Sequence, residues 1–346
     1  MACRSQASHD KEIHMVCSPL PVIPEMAERQ EGFFAPNLSP KGLVLEPCEL
    51  ADGVYGLMAN KLPKDNNGLV VGEKAALVID SGITPSVGHH IQEVAAGITD
   101  RPVRYLANTT YHGDHTFGNV AFGEDVTVVS SRLNKAAMDN LEEEKFFRSD
   151  SMYGDDALDA VTSWRKPDVT FDRFLEIDLG GRVVQLWHFG PGNGSGDTIV
   201  YVPDSRTAWV GNSLRHPGIP PMLLAGDPVG YIRTLHALQT TLPLEHLVPG
   251  HGPLTGAVAS INWMLNYLHK TTSRVAELRD KGFDVTAIMD EVPLPEPLRL
   301  SSVVEDVDAA EDDRFSKLML SLHRLNVLST FRWLNATAPR LGIVAN

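Results

Sequence analysis

The sequence predicts an α/β protein in which two β-sheets pack between outer helices, an αββα sandwich followed by a C-terminal helical extension. Short apolar runs, several of them β-branched and separated by turns, occur in two stretches, residues 43–106 and 183–210. Helical sequence follows each stretch. Polar clusters come directly after predicted strands, where rigid scaffolds commonly carry functional loops.

The elements follow in order along the chain. Residues 1–40 are proline-rich and irregular and predict an N-terminal arm that packs on the body or on a second subunit. The main domain is expected over residues 41–256. Its predicted strands are residues 42–45, 54–57, 69–71, 75–79, 103–106, 183–186, 198–202 and 207–210, with helical sequence near 92–96 and over 132–164.

Beyond residue 256 the apolar residues take helical spacing, which predicts a helical extension over residues 257–346 packed on the same domain. The apolar positions are Val258, Ile261, Leu265 and Leu268, then Phe315, Leu318, Leu322, Leu325 and Leu328. The last helix is a candidate for covering the mouth of the site or for a homodimer contact, although such a stripe is most often core packing.

Composition excludes several function classes. The 346 residues suffice for one large domain, and the net charge of -14 without a Lys/Arg-rich run argues against nucleic acid as a partner. The cysteines, Cys3, Cys17 and Cys48, are too few for a disulfide framework and lie outside the polar clusters. No run reaches the roughly 18 to 20 apolar residues of a membrane span, so we expect a cytoplasmic protein without a membrane partner.

The densest polar cluster is the segment TYHGDH, which places His112, Asp114 and His115 within four residues after a predicted strand. Two imidazoles and a carboxylate on a post-strand loop are the donors that a borderline-hard divalent metal ion prefers. The segment therefore predicts a metal site.

His112-x-Asp114-His115 resembles the H-x-H-x-D-H signature of the metallo-β-lactamase superfamily. Four other segments resemble that family and occur in its order: VIDSG (78–82), GPGNGSGD (190–197), GN (211–212) and PGHGP (249–253). The resemblance implies the metallo-β-lactamase fold and a metal-dependent hydrolase.

The resemblance also assigns metal ligands. Most of the residues that bind the first metal ion in the family are replaced in this sequence. The family holds that ion with three histidines, and the matching positions are Thr110, His112 and Asn193. The residue that bridges the two metals is normally aspartate, and here it is Asn212, a weaker ligand. The second metal of the family keeps all its ligands, Asp114, His115 and His251, so the resemblance implies one metal ion.

These residues predict a mononuclear hydrolase of an ester, thioester or lactone. An ion on Asp114, His115 and His251 would activate water or polarise a carbonyl, with zinc expected and iron the alternative. His112 either joins the metal or moves a proton, and Asn193 or Asn212 would stabilise an oxyanion. Thr110 would line the vacated first site.

The expected partner is a small acyl substrate. Residues 212–222, followed by Gly226-Asp227-Pro228, loosely resemble thioesterase and cyclase relatives of polyketide pathways, which favours acyl substrates in secondary metabolism. The aromatic residues of the middle segment, Phe146, Phe147, Tyr153 and Trp164, are candidates for lining an apolar pocket or for an ordinary amphipathic helix.

Two other functions stay open on the sequence alone. Two histidines and one carboxylate also form the facial triad of non-haem Fe(II) enzymes that use dioxygen, which would make the protein an oxidoreductase. A non-catalytic binding protein that kept the fold is the third possibility, because several ligand positions are altered.

Overall fold

The computed structural model describes residues 29–337. The apolar stretch at residues 15–23, expected to pack on the body, and the cysteines Cys3 and Cys17 lie outside the described residues. Within residues 29–337, no helix combines the length and apolar composition that a membrane span requires.

The first sheet has seven strands in sequence order. The first four are antiparallel neighbours and the last four are parallel neighbours. They are β1 (Leu45–Ala51), β2 (Val54–Ala59), β3 (Asn67–Val71), β4 (Ala76–Ile79), β5 (Val103–Ala107), β6 (Thr127–Ser131) and β7 (Val169–Phe171).

The second sheet has six strands, again in sequence order, antiparallel except for its β11–β12 pair. They are β8 (Phe174–Asp178), β9 (Val183–Trp187), β10 (Ile199–Val202), β11 (Thr207–Trp209), β12 (His246–Val248) and β13 (Thr255–Gly256).

Eight α-helices accompany the sheets within residues 29–337: α1 (Pro85–Ile98), α2 (Gly113–Thr116), α3 (Arg132–Ala137), α4 (Leu141–Ser149), α5 (Pro228–Thr241), α6 (Ala257–Asp280), α7 (Val285–Glu291) and α8 (Ala309–Thr337). Two of them begin in the same way. Thr84 caps α1 and Asp227 caps α5, each accepting a hydrogen bond from a backbone N–H of the first turn, and each helix starts with proline.

The sheets pack face to face through a fully apolar layer that includes Leu77, Val200 and Trp209. Helix α1 covers the outer face of the first sheet, and α5 and α6 cover that of the second. Burying each such Leu or Val side chain contributes about 1.5–3 kcal/mol, so these layers hold the strand-end loops in place. The predicted α/β sandwich is confirmed.

Several element boundaries differ from the prediction. The strand expected over residues 42–45 starts only at Leu45 and runs on through Pro47, which is tolerated because β1 is an edge strand. Strands β6, β7, β8, β12 and β13 were not predicted. Several of them are only two or three residues long, and charged residues interrupt the apolar pattern of β8, so pairing with neighbouring strands is what defines them.

The C-terminal helices close one side of the molecule. Helix α8 packs through Phe315, Leu318 and Leu322 against the segment from Ile219 to Leu224, and it also contacts α6 and α7. Residues 29–40 of the predicted arm reach the same region, where the backbone N–H of Phe34 donates to Ser321 Oγ at 2.7 Å. The predicted division at residues 40 and 256 stays a prediction.

Candidate metal centre

The loop between β5 and α2 positions the predicted ligands. Strand β5 ends at Ala107, and the chain then turns into the single-turn helix α2, which carries Asp114 and His115. Gly113 makes this turn possible, because a Cβ there would lie only 2.3 Å from Phe117 Cε2. A short, crowded turn therefore directs both side chains inward.

Four buried donors converge at this place: Asp65, Asp114, His115 and His251. One ligand atom from each lies within 4.8 Å of all the others. Asp114 Oδ2 is central, at 3.2 Å from His251 Nε2 and 3.7 Å from His115 Nε2. The three ligands that the family resemblance implied are thus together, with a fourth that the sequence did not indicate.

Asp65 reaches the cluster through the loop that follows β2. The backbone N–H of Asn66 donates to Gly250 O at 2.8 Å, and its side-chain amide donates to Pro249 O and Gly252 O. These bonds join the loop before β3 to the loop that carries His251, and they place Asp65 Oδ1 3.2 Å from His251 Nδ1.

Both histidines are oriented by bonds on the ring nitrogen that faces away from the cluster centre. His115 Nδ1–H donates to Asp80 Oδ2 at 2.9 Å, and His251 Nδ1–H donates to Pro63 O at 2.8 Å. Each bond leaves Nε2 facing Asp114, which is the usual arrangement behind a metal-binding histidine.

The carboxylates of the cluster are short of hydrogen bonds. Asp65 Oδ1 and Asp114 Oδ1 are buried and accept no hydrogen bond within residues 29–337, although His251 Nδ1 lies 3.2 Å from the first and Arg148 Nε 3.5 Å from the second. Burial and the charge of Asp114 raise the pKa of the Asp65 carboxyl well above its usual range. Burial acts on Asp114 in the same direction, but the charges of Arg148 and His115 outweigh it and hold the pKa of Asp114 well below its usual range.

The surroundings also shift the pKa values of the two histidines. Burial opposes a charge on His115, yet Asp80 and Asp114 outweigh it and raise the pKa of His115 to about 9. Burial lowers the pKa of His251 to about 4, so this ring is a neutral donor. The donor set consists of two carboxylates, each with an oxygen that accepts no hydrogen bond, and two imidazole nitrogens. Such a set fits a divalent ion such as zinc or iron.

The positions that match the first metal of the family are arranged differently. His112 Nε2–H donates to Asn193 Oδ1 at 2.9 Å, and Arg148 Nη2 donates to His112 Nδ1. Asn193 Nδ2 donates to Met222 O. The structure therefore places His112 outside the four-donor cluster, with both ring nitrogens hydrogen-bonded, and its role as a metal ligand or proton carrier stays a prediction.

Both ends of the Asn193 amide are also hydrogen-bonded, to His112 and to Met222 O. Its predicted role as an oxyanion donor stays a prediction. Thr110 Oγ1 is buried without a hydrogen-bond partner within residues 29–337, and Thr110 does not line the cavity described below. Asn212 Nδ2 lies 3.3 Å from His115 Nε2, while its Oδ1 accepts from Arg215 Nη2 at 3.2 Å. Of the predicted polar groups, Asn212 stands closest to the metal ligands.

Arg215 is a buried cation with little compensation. Its Nε has no hydrogen-bond partner within the described residues. Burial lowers the pKa of its guanidinium, and the charges of Asp114 and Asp197 offset this only in part. The amide of Asn212 accepts from Arg215 Nη2 at 3.2 Å but adds no negative charge.

A narrow pocket, partly open to solvent, lies beside these groups. Its polar wall is formed by His112, Asp114, Arg148, Asn193, Asn212, Arg215 and His251. Its apolar wall includes Leu62, Ile219, Met222, Leu318, Met319 and Leu322. The aromatic residues predicted to line a pocket do not line this one: Phe146 is 80% exposed, and Trp164 packs on Phe117.

Two sheets between helices, with an aspartate and histidine cluster on the loops at their edge, define a metallo-hydrolase fold. The family model described as "Metallo-beta-lactamase superfamily" matches residues 65–251, more than half of the chain. The chain belongs to this superfamily, and the family and fold predicted from the sequence are confirmed.

Individual relatives are distant. A linear primary-alkylsulfatase from Pseudomonas sp. is 21% identical over 266 residues, which cover 66% of this chain and 49% of the relative. The chain thus spans about half the length of that curated relative.

Solved structures show the same fold. A metallo-β-lactamase from Pontibacter korlensis is 20% identical with a TM-score of 0.50, over 65% of this chain and 99% of its own. A double mutant of the sec-alkyl sulfatase PisA1 is 14% identical with a TM-score of 0.58, over 88% of this chain and 51% of its own.

The sequence missed Asp65, Arg148 and Arg215. Asp65 had a weak signal, since it opens a run of polar residues directly before strand β3, as the metal loop does after β5. Arg148 and Arg215 had none, because nothing local distinguishes an arginine that is buried beside a site from one on the surface.

Proposed function

We propose that this protein is a mononuclear metal-dependent hydrolase of an ester, thioester or lactone in a largely apolar small molecule. The observation that carries the proposal is the four-donor cluster with orphaned carboxylate oxygens, because two of its members, Asp114 and His251, also line the cavity. Donors that face a cavity leave a position for water or substrate, as in catalytic rather than closed structural metal sites.

Asp65, Asp114, His115 and His251 would hold the ion. When bound, it would supply an activated water and polarise the carbonyl of the substrate. Asp80 keeps His115 in the tautomer that binds a metal.

Arg215 is the group of this chain best placed to receive negative charge that develops on a substrate oxygen. Its Nε–H is unsatisfied, it lines the cavity, and Asn212 joins it to His115. A preorganised donor that is already buried needs no reorganisation during the reaction, and this is the basis of oxyanion stabilisation.

The apolar wall of the cavity supports an alkyl or acyl chain as the rest of the substrate. The alkylsulfatase relative supports hydrolysis and adds sulfate esters to the candidates. The fourth donor, Asp65, makes the set larger than the facial triad of Fe(II) oxygenases, which is why hydrolysis remains the first choice.

The first test measures metal content and hydrolysis together. Protein purified without added metal is analysed for bound elements and assayed on p-nitrophenyl esters of increasing acyl length, thioesters, lactones and octyl sulfate. We expect about one zinc ion per chain. Asp114→Asn and His251→Ala should reduce activity by more than the roughly 10- to 100-fold that is typical for loss of a residue hydrogen-bonded to a metal ligand.

Asp125→Asn serves as the control, because this exposed carboxylate only pairs with Arg104 at the surface. Bound iron with substrate-dependent oxygen uptake would replace the proposal with the oxidoreductase. Absence of stoichiometric metal, with all variants behaving alike, would favour the binding protein.

A further inference from the structure

Residues that match ligands of the family's first metal ion are hydrogen-bonded to each other and to an arginine. His112 and Asn193, which match two ligands of that ion, meet in a 2.9 Å hydrogen bond. The guanidinium of Arg148 lies against the opposite ring nitrogen, His112 Nδ1, at the wall of the cavity.

Arg148 is held there by its own helix. On α4, Glu144 and Arg148 are one turn apart, and Arg148 Nε donates to Glu144 Oε1 at 2.7 Å. The same carboxylate oxygen accepts the backbone N–H of Gly113 at 2.8 Å, which ties α4 to the metal loop. Arg148 Nε also lies 3.5 Å from Asp114 Oδ1.

A metal ion does not fit the first position in this chain. Two of its three donors have become a hydroxyl and an amide, at Thr110 and Asn193. The remaining imidazole, His112, gives one nitrogen to Arg148 and the other to Asn193. A second cation would also have to sit beside a buried guanidinium, and like charges repel strongly where water is excluded.

We propose that Arg148 replaces the first metal ion of the family. Its guanidinium holds His112 in place, keeps positive charge beside Asp114, and excludes a second ion. Glu144 is the positioning residue that aims it. The consequence is chemical, because a guanidinium donates hydrogen bonds to a substrate oxygen but cannot bind and acidify a water. Water activation is then left to the Asp114, His115 and His251 side of the site.

This inference takes the retained ion from the proposed function, but its test counts ions and needs no substrate. Two variants differ in the Arg148–Glu144 pair. The first is Thr110→His/Asn193→His, which keeps Glu144 to hold Arg148 in place, and the second adds Arg148→Met and Glu144→Gln. Glu144→Gln accompanies Arg148→Met so that the Glu144 carboxylate is not left buried without its arginine, while the acceptor for Gly113 is kept.

Metal-free protein is titrated with Co²⁺ and followed by calorimetry and visible absorption. We expect one ion per chain in the wild type and in the variant that keeps Arg148, and two ions once Arg148→Met is added. Two ions in the presence of Arg148, or one ion in both variants, would overturn the proposal.

A measurement on the wild-type protein decides the question even when the quadruple variant does not fold. The ring ¹⁵N shifts of the histidines are compared with and without Zn²⁺, and His112 is assigned from His112→Gln. We expect His115 and His251 to shift strongly and His112 to keep the pattern of an Nε2–H ring. A metal-bound pattern for His112 contradicts the proposal.

Discussion

The properties of single residues in this site depend on the bonds that hold each ligand. Asp80 illustrates this. Its φ is 57°, in the left-handed region that Asp and Asn tolerate better than most residues. From this position its carboxylate accepts the backbone N–H and hydroxyl of Thr109 and the Nδ1–H of His115. The strained turn therefore serves both the loop and the metal ligand.

Asp80→Asn tests this role. Asparagine keeps the size and tolerates the backbone conformation, but it removes the negative charge behind His115. We expect metal affinity to fall by about 10- to 100-fold with the fold retained, measured by competition with a chelator of known affinity.

Asp178→Asn is a matched control, because Asp178 also accepts backbone N–H groups in a turn, those of Gly180 and Gly181, at a place without metal ligands. Equal affinities in wild type and Asp80→Asn would show that Asp80 only supports the loop.

Among the elements, α8 stabilises one wall of the cavity. Besides its apolar contacts, it holds the segment before α5 through Ser329, whose hydroxyl donates to Leu223 O, and above all through Asn326. Asn326 Oδ1 accepts the N–H of Leu223 and its Nδ2 donates to Pro221 O, both at 2.8 Å. Met222 lies between these two anchored residues and lines the cavity.

Asn326→Leu would leave the N–H of Leu223 and the carbonyl of Pro221 buried without this partner. Each unsatisfied group costs about 1–3 kcal/mol, so we expect the free energy of unfolding to fall by several kcal/mol in urea titrations. The same substitution at the exposed Asn335 of α8 should change it by less than about 0.5 kcal/mol. Similar values for both variants would show that α8 docks through its apolar face alone.

At the scale of the whole molecule, His323 links the C-terminal helices. Its Nδ1 accepts the hydroxyl of Tyr267 on α6, and its Nε2–H donates to Val292 O after α7, both at 2.9 Å. Burial, with a smaller contribution from Arg324, lowers the pKa of His323 below the usual value of 6.5. The ring is thus neutral in the folded protein, with both nitrogens in use.

The pH dependence follows from this shift. Below pH 6.5 the unfolded chain binds a proton at this position more readily than the folded protein does. The free energy of unfolding should therefore decrease as the pH falls from 6.5 toward the lowered pKa, by at most about 1.4 kcal/mol per pH unit for this group.

Urea unfolding of wild type and His323→Gln at several pH values between 5 and 7.5 measures the effect. We expect a shallower dependence in the variant, and no change in slope for His269→Gln on the exposed face of α6. Part of the slope should persist, because burial lowers the pKa of His188 as well. Parallel curves for wild type and His323→Gln would assign the pH dependence to other groups.

Much of this molecule could be predicted from local sequence. Short apolar runs indicated eight of the thirteen strands within residues 29–337, β1–β5 and β9–β11, and helical spacing indicated α6 and α8, because burial of such patterns has few solutions. The segment that carries Asp114 and His115 and the late loop of His251 were also recognisable, since their residue types and order match a family. That residues so far apart would converge was implied by the resemblance rather than by the spacing.

The sequence by itself determined the αββα class and the C-terminal helices, because these depend on periodicity, and its short motifs indicated three of the four clustered donors through their resemblance to a family. Only the tertiary structure decided what surrounds the ligands. Asp65 joins them through hydrogen bonds between distant loops, Arg148 through the packing of α4, and Arg215 through its hydrogen bond to Asn212. These positions arise from contacts between segments far apart in sequence, which a local pattern indicates weakly for Asp65 and not at all for the two arginines.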